Sequence, residues 1–309
     1  SDAGSGVIWS LPRQRRLDFG ARVQVMGILN TTPDSFFDGG RYADPSAAAD
    51  RAFRMVEEGA DIIDVGGESS RPPIYGEAAP VAKDEEIERV VPTIEAIRRQ
   101  SDIPISIDTT KSEVAQAALD AGADILNDIS ALDEAGQGML DVVAGGQIPV
   151  ILMHRRRTAA AMQLDTHVDL LEQICSYLAT RVARVRAAGV TDVATDPGVG
   201  FGKSVEDNYR LLRRAGAFAV DGCPVLIGAS RKSFLWKPIG RSPEQSLAAS
   251  VAAAVMAAVH GARILRVHDV ADTIDALQVV QATGFDDSFS VADTGSVSSS
   301  TNMTHSLAT

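Results

Sequence analysis

The chain contains few cysteines and no long hydrophobic run. Its two cysteines, Cys175 and Cys223, lie in different segments and lack the spacing of a metal or redox motif. A fold built on disulfides is therefore excluded, and a reducing, cytoplasmic compartment is expected. The longest apolar stretch, 247–259, is shorter than the roughly 20 residues that a bilayer span needs, so we expect no membrane partner.

Positive charge is also scarce. The formal net charge is −12, and an acidic surface repels nucleic acid, so we expect no nucleic-acid partner. The five histidines are scattered along the chain, and no structural zinc site is predicted. These absences favour an enzyme or a binding domain that acts on small molecules.

Eight short apolar runs are each followed by polar residues and then by a helical pattern. The predicted strands are 23–29, 60–66, 103–107, 124–129, 148–153, 192–196, 224–229 and 263–267. The main predicted helices are 45–58, 84–100, 111–122, a short helix ending at Gly145, 166–188, 205–215, 243–260 and 270–283. Continuously apolar strands that alternate with helices indicate a parallel sheet buried on both faces. Eight such units predict the α/β class and a single-domain (β/α)₈ TIM barrel.

An open, doubly wound sheet is the alternative fold. It would place a glycine-rich dinucleotide turn after the first strand, and 27–30 offers none. We predict an N-terminal extension over 1–20, a barrel domain over 21–284 and a disordered tail over 285–309, because the tail is aperiodic and rich in Ser, Thr and Asp.

Carboxylate and amide side chains end several predicted strands. Asp108, Asn127 and Asp196 each follow an apolar run. A half-buried carboxylate at such a position needs a partner, which a salt bridge or a helix N-cap would provide. The alternative is a set of acceptors for a flat, NH-rich heterocycle, to which Asn127 adds a donor and an acceptor.

Cationic side chains follow the last two predicted strands. Lys232 and Ser233 stand at a predicted helix N-terminus, where free N–H groups favour an anion. Arg266 and His268 alternate along the eighth strand and so point the same way, which suits a diphosphate, although ties to helix ends would explain them too. The run 198–203 resembles a phosphate loop but lacks the Walker spacing.

Taken together, these segments resemble one family, the dihydropteroate synthases. The matching motifs are MGILNTTPDSFFDGG (26–40), DVGGESSRP (64–72), SIDT (106–109), ND (127–128), LMH (152–154), DPGVGFGK (196–203), GASRKS (228–233) and RVHD (266–269). The resemblance implies that p-aminobenzoate displaces diphosphate from 6-hydroxymethyl-7,8-dihydropterin diphosphate through a pterin cation, with Mg²⁺. It also implies a homodimer that contacts its partner near 247–259.

The resemblance implies a role for individual residues. Those that would bind the pterin are Asp108, Asn127, Met153, Asp196, Gly200, Phe201 and Lys232. Asn30, Arg266 and His268 would hold the diphosphate, and Asn30 would also contact Mg²⁺. Asp38 would stabilise the cation. The implied catalytic residues are Asp38, Asp108, Lys232, Arg266 and His268.

A third set of residues would form the p-aminobenzoate pocket. Its members are Thr32, Pro33, Phe36, Ser70, Arg71, Pro72, Lys232 and Ser233. Sulfonamides mimic p-aminobenzoate, so they would compete at this pocket. Two other functions remain open: a methyltetrahydrofolate-dependent methyltransferase, which has no need for the 32–36, 70–72 and 230–232 motifs together, and a catalytically silent paralogue that binds pterin alone.

Overall fold

The computed structural model describes residues 7–20, 22–32, 44–68, 81–155 and 169–285. Within them, an antiparallel hairpin precedes eight parallel strands. The hairpin strands are β1 (Ile8–Leu11) and β2 (Arg15–Asp18). The parallel strands are β3 (Gln24–Asn30), β4 (Ile62–Gly66), β5 (Ile105–Asp108), β6 (Ile125–Asp128), β7 (Val150–Met153), β8 (Val193–Asp196), β9 (Leu226–Ile227) and β10 (Ile264–Val267).

The eight parallel strands form a barrel surrounded by helices. Their order is β8-β7-β6-β5-β4-β3-β10-β9, and a parallel bridge between Thr195 and Val225 joins the two ends. The helices are α1 (Pro45–Glu57), α2 (Lys83–Arg98), α3 (Ser112–Asp120), α4 (Gln137–Gly146), α5 (Leu170–Ala187), α6 (Val205–Arg213), α7 (Ser233–Trp236), α8 (Leu247–Val259) and α9 (Val270–Ala282). The predicted (β/α)₈ barrel is confirmed, and the doubly wound alternative is wrong.

The strand after α6 is shorter than predicted. The sequence predicts 224–229, but only Leu226–Ile227 is regular strand. Pro224 has no N–H to donate to a sheet, and its carbonyl accepts from Thr195 N at 3.0 Å, so it contributes only an acceptor at the closing seam.

The lower half of the barrel interior is apolar. The strand residues that fill it are Met26, Ile62, Ile125, Ile151, Ala194, Leu226 and Ile264. The hairpin closes this end, because Trp9, Leu11, Leu17 and Phe19 pack into the same cluster, and the rings of Trp9 and Phe19 meet edge to face at 4.9 Å. The apolar base leaves the opposite end, at the carboxyl ends of the strands, as the polar mouth.

A buried ion-pair cluster fixes the hairpin to the barrel. Asp124, at the start of β6, is fully buried. It accepts hydrogen bonds from Arg13 at 3.1 Å, from Arg15 at 2.6 Å and from Arg98 of α2. Removal of this carboxylate would leave three guanidinium groups without their common partner, so we infer a structural role for it.

The Ala-rich helix α8 covers the barrel with one face only. Ser250, Ala253, Ala254, Ala257 and Ala258 are buried against the rest of the chain. On the other face, Leu247 and Met256 are 41% and 43% exposed. In the described residues, no helix has the length and apolar character needed to cross a bilayer.

Candidate functional site

Four polar side chains meet inside the barrel at its mouth. Arg266 of β10 donates from Nε to Asp64 Oδ2 at 2.6 Å and from Nη2 to Asp108 Oδ2 at 2.9 Å. The amide nitrogen of Asn127 lies 3.4 Å from both carboxylate oxygens of Asp64. Asp64, Asp108 and Asn127 are all buried. The structure thus brings together three residues that the sequence singles out, with Asp64 between them.

The environment of this cluster shifts two pKa values. Burial raises the pKa of Asp108 to about 7; Arg266 opposes this rise and the charge of Asp64 adds to it. Burial disfavours the charged form of Arg266, but Asp64 and Asp108 outweigh burial and raise its pKa. A ligand with N–H donors would oppose the effect of burial on Asp108 and favour its carboxylate form.

Asp196 and Lys232 form the other side of the mouth. Asp196 ends β8, is buried, and accepts a hydrogen bond from Gly198 N at 2.7 Å. Lys232 donates to the carbonyl of Val199, and its Nζ lies 4.4 Å from the ring centroid of Phe201. Burial lowers the pKa of Lys232 to about 8, although Asp196 opposes this. Burial also raises the pKa of Asp196, so both groups would gain from an enclosed polar ligand.

The segment 198–203 requires glycine at two points. Gly198 and Gly200 have φ of 70° and 84°, which side-chain-bearing residues rarely adopt. A Cβ on Gly198 would lie 1.9 Å from the carbonyl oxygen of His154, and one on Gly200 would lie 2.6 Å from Cδ of Lys232. Gly200 is therefore part of the surface that sets the position of the Lys232 side chain.

His268 lies just beyond β10 and faces a serine. Its Nδ1 is 3.0 Å from Ser230 Oγ, and its backbone N–H donates to the same oxygen at 3.3 Å. Its carbonyl accepts from Arg51 at 3.2 Å. Arg266 is paired with carboxylates of other strands, so the alternative that ties it to a helix end is wrong. Ser233 is the first residue of α7, which is a single turn, and it is half-buried.

Three further predicted residues lie at the rim. Asn30 ends β3 and is half-buried, Thr32 follows shortly after, and Met153 ends β7 and is 2% exposed. A Cβ on Gly66 would lie 3.9 Å from Asn30 Oδ1 and 3.6 Å from Asp108 Cβ. The amide oxygen of Asn30 and the Asp108 side chain therefore flank the same glycine.

Six predicted residues lie outside the described part of the chain. They are Pro33, Phe36, Asp38, Ser70, Arg71 and Pro72. The last described residue before 69–80 is Glu68, which accepts a 2.5 Å hydrogen bond from Lys111 Nζ. Lys111 also donates to the buried Glu86 at 2.5 Å, so the end of the chain segment that follows β4 is anchored to α2 and α3.

Sequence reasoning missed two residues that build the site. Asp64 lies within a matching motif but was assigned no role; its signal is a carboxylate placed among isoleucines and valine in β4. Lys203 was considered only as part of a phosphate loop. Its Nζ instead donates to the carbonyls of Gly198 at 2.7 Å and Phe201 at 3.2 Å, which braces the loop beside Lys232.

The arrangement is an acceptor-rich slot with two half-buried cations. The carboxylates of Asp108 and Asp196 and the amide oxygen of Asn127 can accept from N–H groups of a flat ring and stabilise positive charge on it. Lys232 and Arg266 can donate to ring or phosphate oxygens. The slot opens where the strands end, which is the usual position of active sites in this fold.

Comparison with known proteins identifies the family. Residues 26–268 match the family of pterin binding enzymes. The chain is 43% identical over 262 residues to the dihydropteroate synthase of Escherichia coli (strain K12), covering 84% of this chain and 91% of the relative. The chain belongs to the dihydropteroate synthase family.

Solved structures of dihydropteroate synthases have the same fold. The enzyme of Xanthomonas albilineans in complex with 7,8-dihydropteroate matches with a TM-score of 0.76 and 44% identity, over 87% of this chain and 96% of that one. The enzyme of Yersinia pestis in a sulfonamide drug complex matches with a TM-score of 0.80 and 41% identity, over 90% and 99%. The predicted family is confirmed, and the chain is a transferase of folate biosynthesis.

Proposed function

We propose that this chain joins p-aminobenzoate to the methylene carbon of 6-hydroxymethyl-7,8-dihydropterin diphosphate and releases diphosphate. The observation that carries the proposal is the slot of Asp108, Asn127 and Asp196 beside two half-buried cations, in a chain of the dihydropteroate synthase family. The relatives solved with dihydropteroate and with a sulfonamide support the same reaction.

The slot would hold the pterin by its polar edge. Asp108, Asn127 and Asp196 would accept hydrogen bonds from ring and amino N–H groups, because carboxylate and amide oxygens face them. Lys232 would donate to the ring's acceptor atoms. Met153 and Phe201, with Gly200, would line the faces of the ring.

Bond cleavage would separate two opposite charges. The C–O bond to diphosphate breaks with both electrons going to the leaving oxygen, which leaves positive charge on the pterin methylene and ring. Asp38 and Asp108 would stabilise that cation, and Arg266 and His268 would stabilise the diphosphate. The amine of p-aminobenzoate then forms the C–N bond and loses a proton.

The p-aminobenzoate site would lie beside the slot, at the rim. Its proposed residues are Thr32, Pro33, Phe36, Ser70, Arg71, Pro72, Lys232 and Ser233. Lys232 would therefore contact both substrates, which suits a side chain that lies between the glycine loop and α7. Sulfonamides would compete for this site.

We infer that the protein and the substrate diphosphate would hold a magnesium ion jointly. Among the described residues, no group of three His, Cys, Asp or Glu side chains could hold a metal. Mg²⁺ prefers oxygen ligands and is commonly bound by few protein groups together with substrate phosphates and water, so Asn30 Oδ1 would contribute one ligand beside the diphosphate. When bound, Mg²⁺ would neutralise charge on the leaving diphosphate.

The exposed face of α8 supports a homodimer. It presents Leu247 and Met256 with alanines and valines between them and no charged side chain within the helix. Such a face gains from burial against a second copy. The two free thiols, Cys175 and Cys223, support a reducing, cytoplasmic location.

Product analysis tests the proposed reaction. The chain is incubated with the pterin diphosphate, Mg²⁺ and p-aminobenzoate, and the products are identified by mass spectrometry. We expect dihydropteroate and diphosphate in equal amounts, and neither when Mg²⁺ is chelated. Tight pterin binding without product would contradict the proposal and favour the catalytically silent paralogue.

A further inference from the structure

Asp64 is a fully buried carboxylate to which the proposed function gives no role. It lies in the middle of β4, one position along the same strand face from Gly66. Its partners are two residues of the proposed ligand-binding set. Arg266 donates from Nε at 2.6 Å, and Asn127 directs its amide nitrogen to both carboxylate oxygens at 3.4 Å.

The contact with Asp64 sets which end of the Asn127 amide faces the ligand. An amide has one donor end and one acceptor end, and only the NH₂ end can face a carboxylate favourably. With its nitrogen at Asp64, Asn127 holds its oxygen on the other side. An oxygen presented in this way accepts from an N–H of a heterocycle, whereas a flipped amide would present a second donor.

The same carboxylate fixes the plane of the Arg266 guanidinium. Nε is held by Asp64 and Nη2 by Asp108 at 2.9 Å, and the fork is rigid and planar. Asp64 and Asp108 therefore both pair with the positive charge of Arg266. Arg266 stabilises the Asp108 carboxylate less than it would if Asp108 were its only carboxylate partner. The charged groups that act on Asp108 include Arg266 of β10, Asp64 of β4, Glu86 of α2, Asp128 of β6 and Lys232, which directly precedes α7.

We propose that Asp64 is a positioning residue that sets the acceptor face of Asn127 and the orientation of Arg266. Through these two contacts it selects a ring with an N–H donor. Its charge also raises the pKa of Asp108. The inference rests on the proposed function, since it assumes that Asn127, Asp108 and Arg266 meet a pterin.

The residue just before the same strand offers a matched control. Asp61 immediately precedes β4 and is also a buried carboxylate paired with an arginine, Arg22. It accepts from Val25 N at 2.8 Å, at the amino end of the strand and so away from the mouth. Asp61→Asn removes a buried charge from the same chain segment without touching the slot.

The test compares Asp64→Asn with Asp61→Asn in the full chain. The new amide would place a donor against Asn127 or Arg266, so a pterin hydrogen bond is lost. We expect KM for the pterin diphosphate to rise about tenfold to 100-fold in Asp64→Asn, in keeping with one charge-linked hydrogen bond. Asp61→Asn should keep the wild-type KM.

A binding titration provides a readout that mere destabilisation would not move. The probe is 6-hydroxymethyl-7,8-dihydropterin, which lacks the diphosphate, and its affinity is measured from pH 5 to 9. Loss of the Asp64 charge lowers the pKa of Asp108. The rise in affinity on the acid side of the pH profile should therefore move to lower pH in Asp64→Asn and stay in place in Asp61→Asn. The proposal would be overturned if Asp64→Asn had the pH profile of the wild type and the same KM as Asp61→Asn.

A swapped pair keeps the test decisive if Asp64→Asn does not fold. The double variant Asp64→Asn/Asn127→Asp restores an amide–carboxylate contact in the reverse sense. We expect it to bind the pterin probe more tightly than Asn127→Asp alone, in which the new carboxylate lies against that of Asp64; equal affinity would overturn the proposal. Absence of turnover by the wild-type chain would instead contradict the proposed function, so the two failures are distinguishable.

Discussion

Gly200→Ala perturbs the slot without changing any polar group. The new Cβ would lie 2.6 Å from Cδ of Lys232, a flexible side chain that must move away. Lys232 would then lose its position over Phe201 and its contact with the carbonyl of Val199. The displaced Lys232 would also lose the hydrogen bond that it is proposed to donate to the pterin ring. Since a hydrogen bond from a charged group contributes about 1.5–3 kcal/mol, KM for the pterin diphosphate should rise about tenfold to 100-fold.

Backbone strain adds a second effect that a control variant can separate. Gly200 has φ of 84°, and an L-residue in this region costs about 1–2 kcal/mol. Gly222 has φ of 76°, lies before β9 at the opposite end of the barrel, and has no heavy atom within 4 Å of an added Cβ. Gly222→Ala should therefore lose a similar few degrees of Tm but keep its kinetics.

The assay is steady-state kinetics in both substrates together with thermal unfolding of the two variants. The displaced Lys232 predicts that Gly200→Ala alone loses pterin affinity, while both variants unfold at a lower temperature than the wild type. If Gly200→Ala and Gly222→Ala have the same KM, then the position of Lys232 over the glycine loop does not control pterin binding and the reasoning is refuted.

Three further predictions concern pH, the barrel base and assembly. Pterin affinity should rise with pH through about 7, as Asp108 becomes the acceptor carboxylate, and fall above about 8, as Lys232 loses its proton; a flat profile from pH 6 to 9 would contradict this. Trp9→Ala should destabilise the chain by about 3–5 kcal/mol, because Trp9 is fully buried at the barrel base, without altering the kinetics of the folded protein; an unchanged Tm in calorimetry would contradict this. For the proposed dimer, we expect the wild-type chain to be dimeric and Met256→Asp to be monomeric in light scattering; a monomeric wild type, or a variant that stays dimeric, would contradict an interface at α8.

The pattern of apolar runs that end in polar residues predicted the fold and much of the site. Eight apolar runs with polar ends allow few architectures other than a closed parallel barrel, and Asp108, Asn127 and Arg266 meet as strand-end residues of such a barrel should. Their partner Asp64 was missed because it lies inside an apolar strand, where period and composition both read as core.

Other features were beyond single-sequence reasoning for physical reasons. The N-terminal hairpin has strands of four residues, which are too short to be identified by alternating hydrophobicity. Its role depends on the packing of Trp9 against the apolar base of the barrel, which is a contact between residues distant in sequence. The bracing contacts of Lys203 depend on the loop's left-handed glycines. Helix α8 contains no charged residue, so its sequence alone does not tell which face the rest of the chain covers.

The central claim is that the polar slot at the strand ends carries out the synthase reaction. The most direct measurement is turnover of the wild-type chain beside Asp108→Ala, with the pterin diphosphate, p-aminobenzoate and Mg²⁺. Asp108 is buried in the slot and paired with Arg266 at 2.9 Å, so its removal takes away an acceptor and one of the two carboxylates that pair with that cation. We predict dihydropteroate formation by the wild type and its loss in the variant; equal turnover by both would contradict the account.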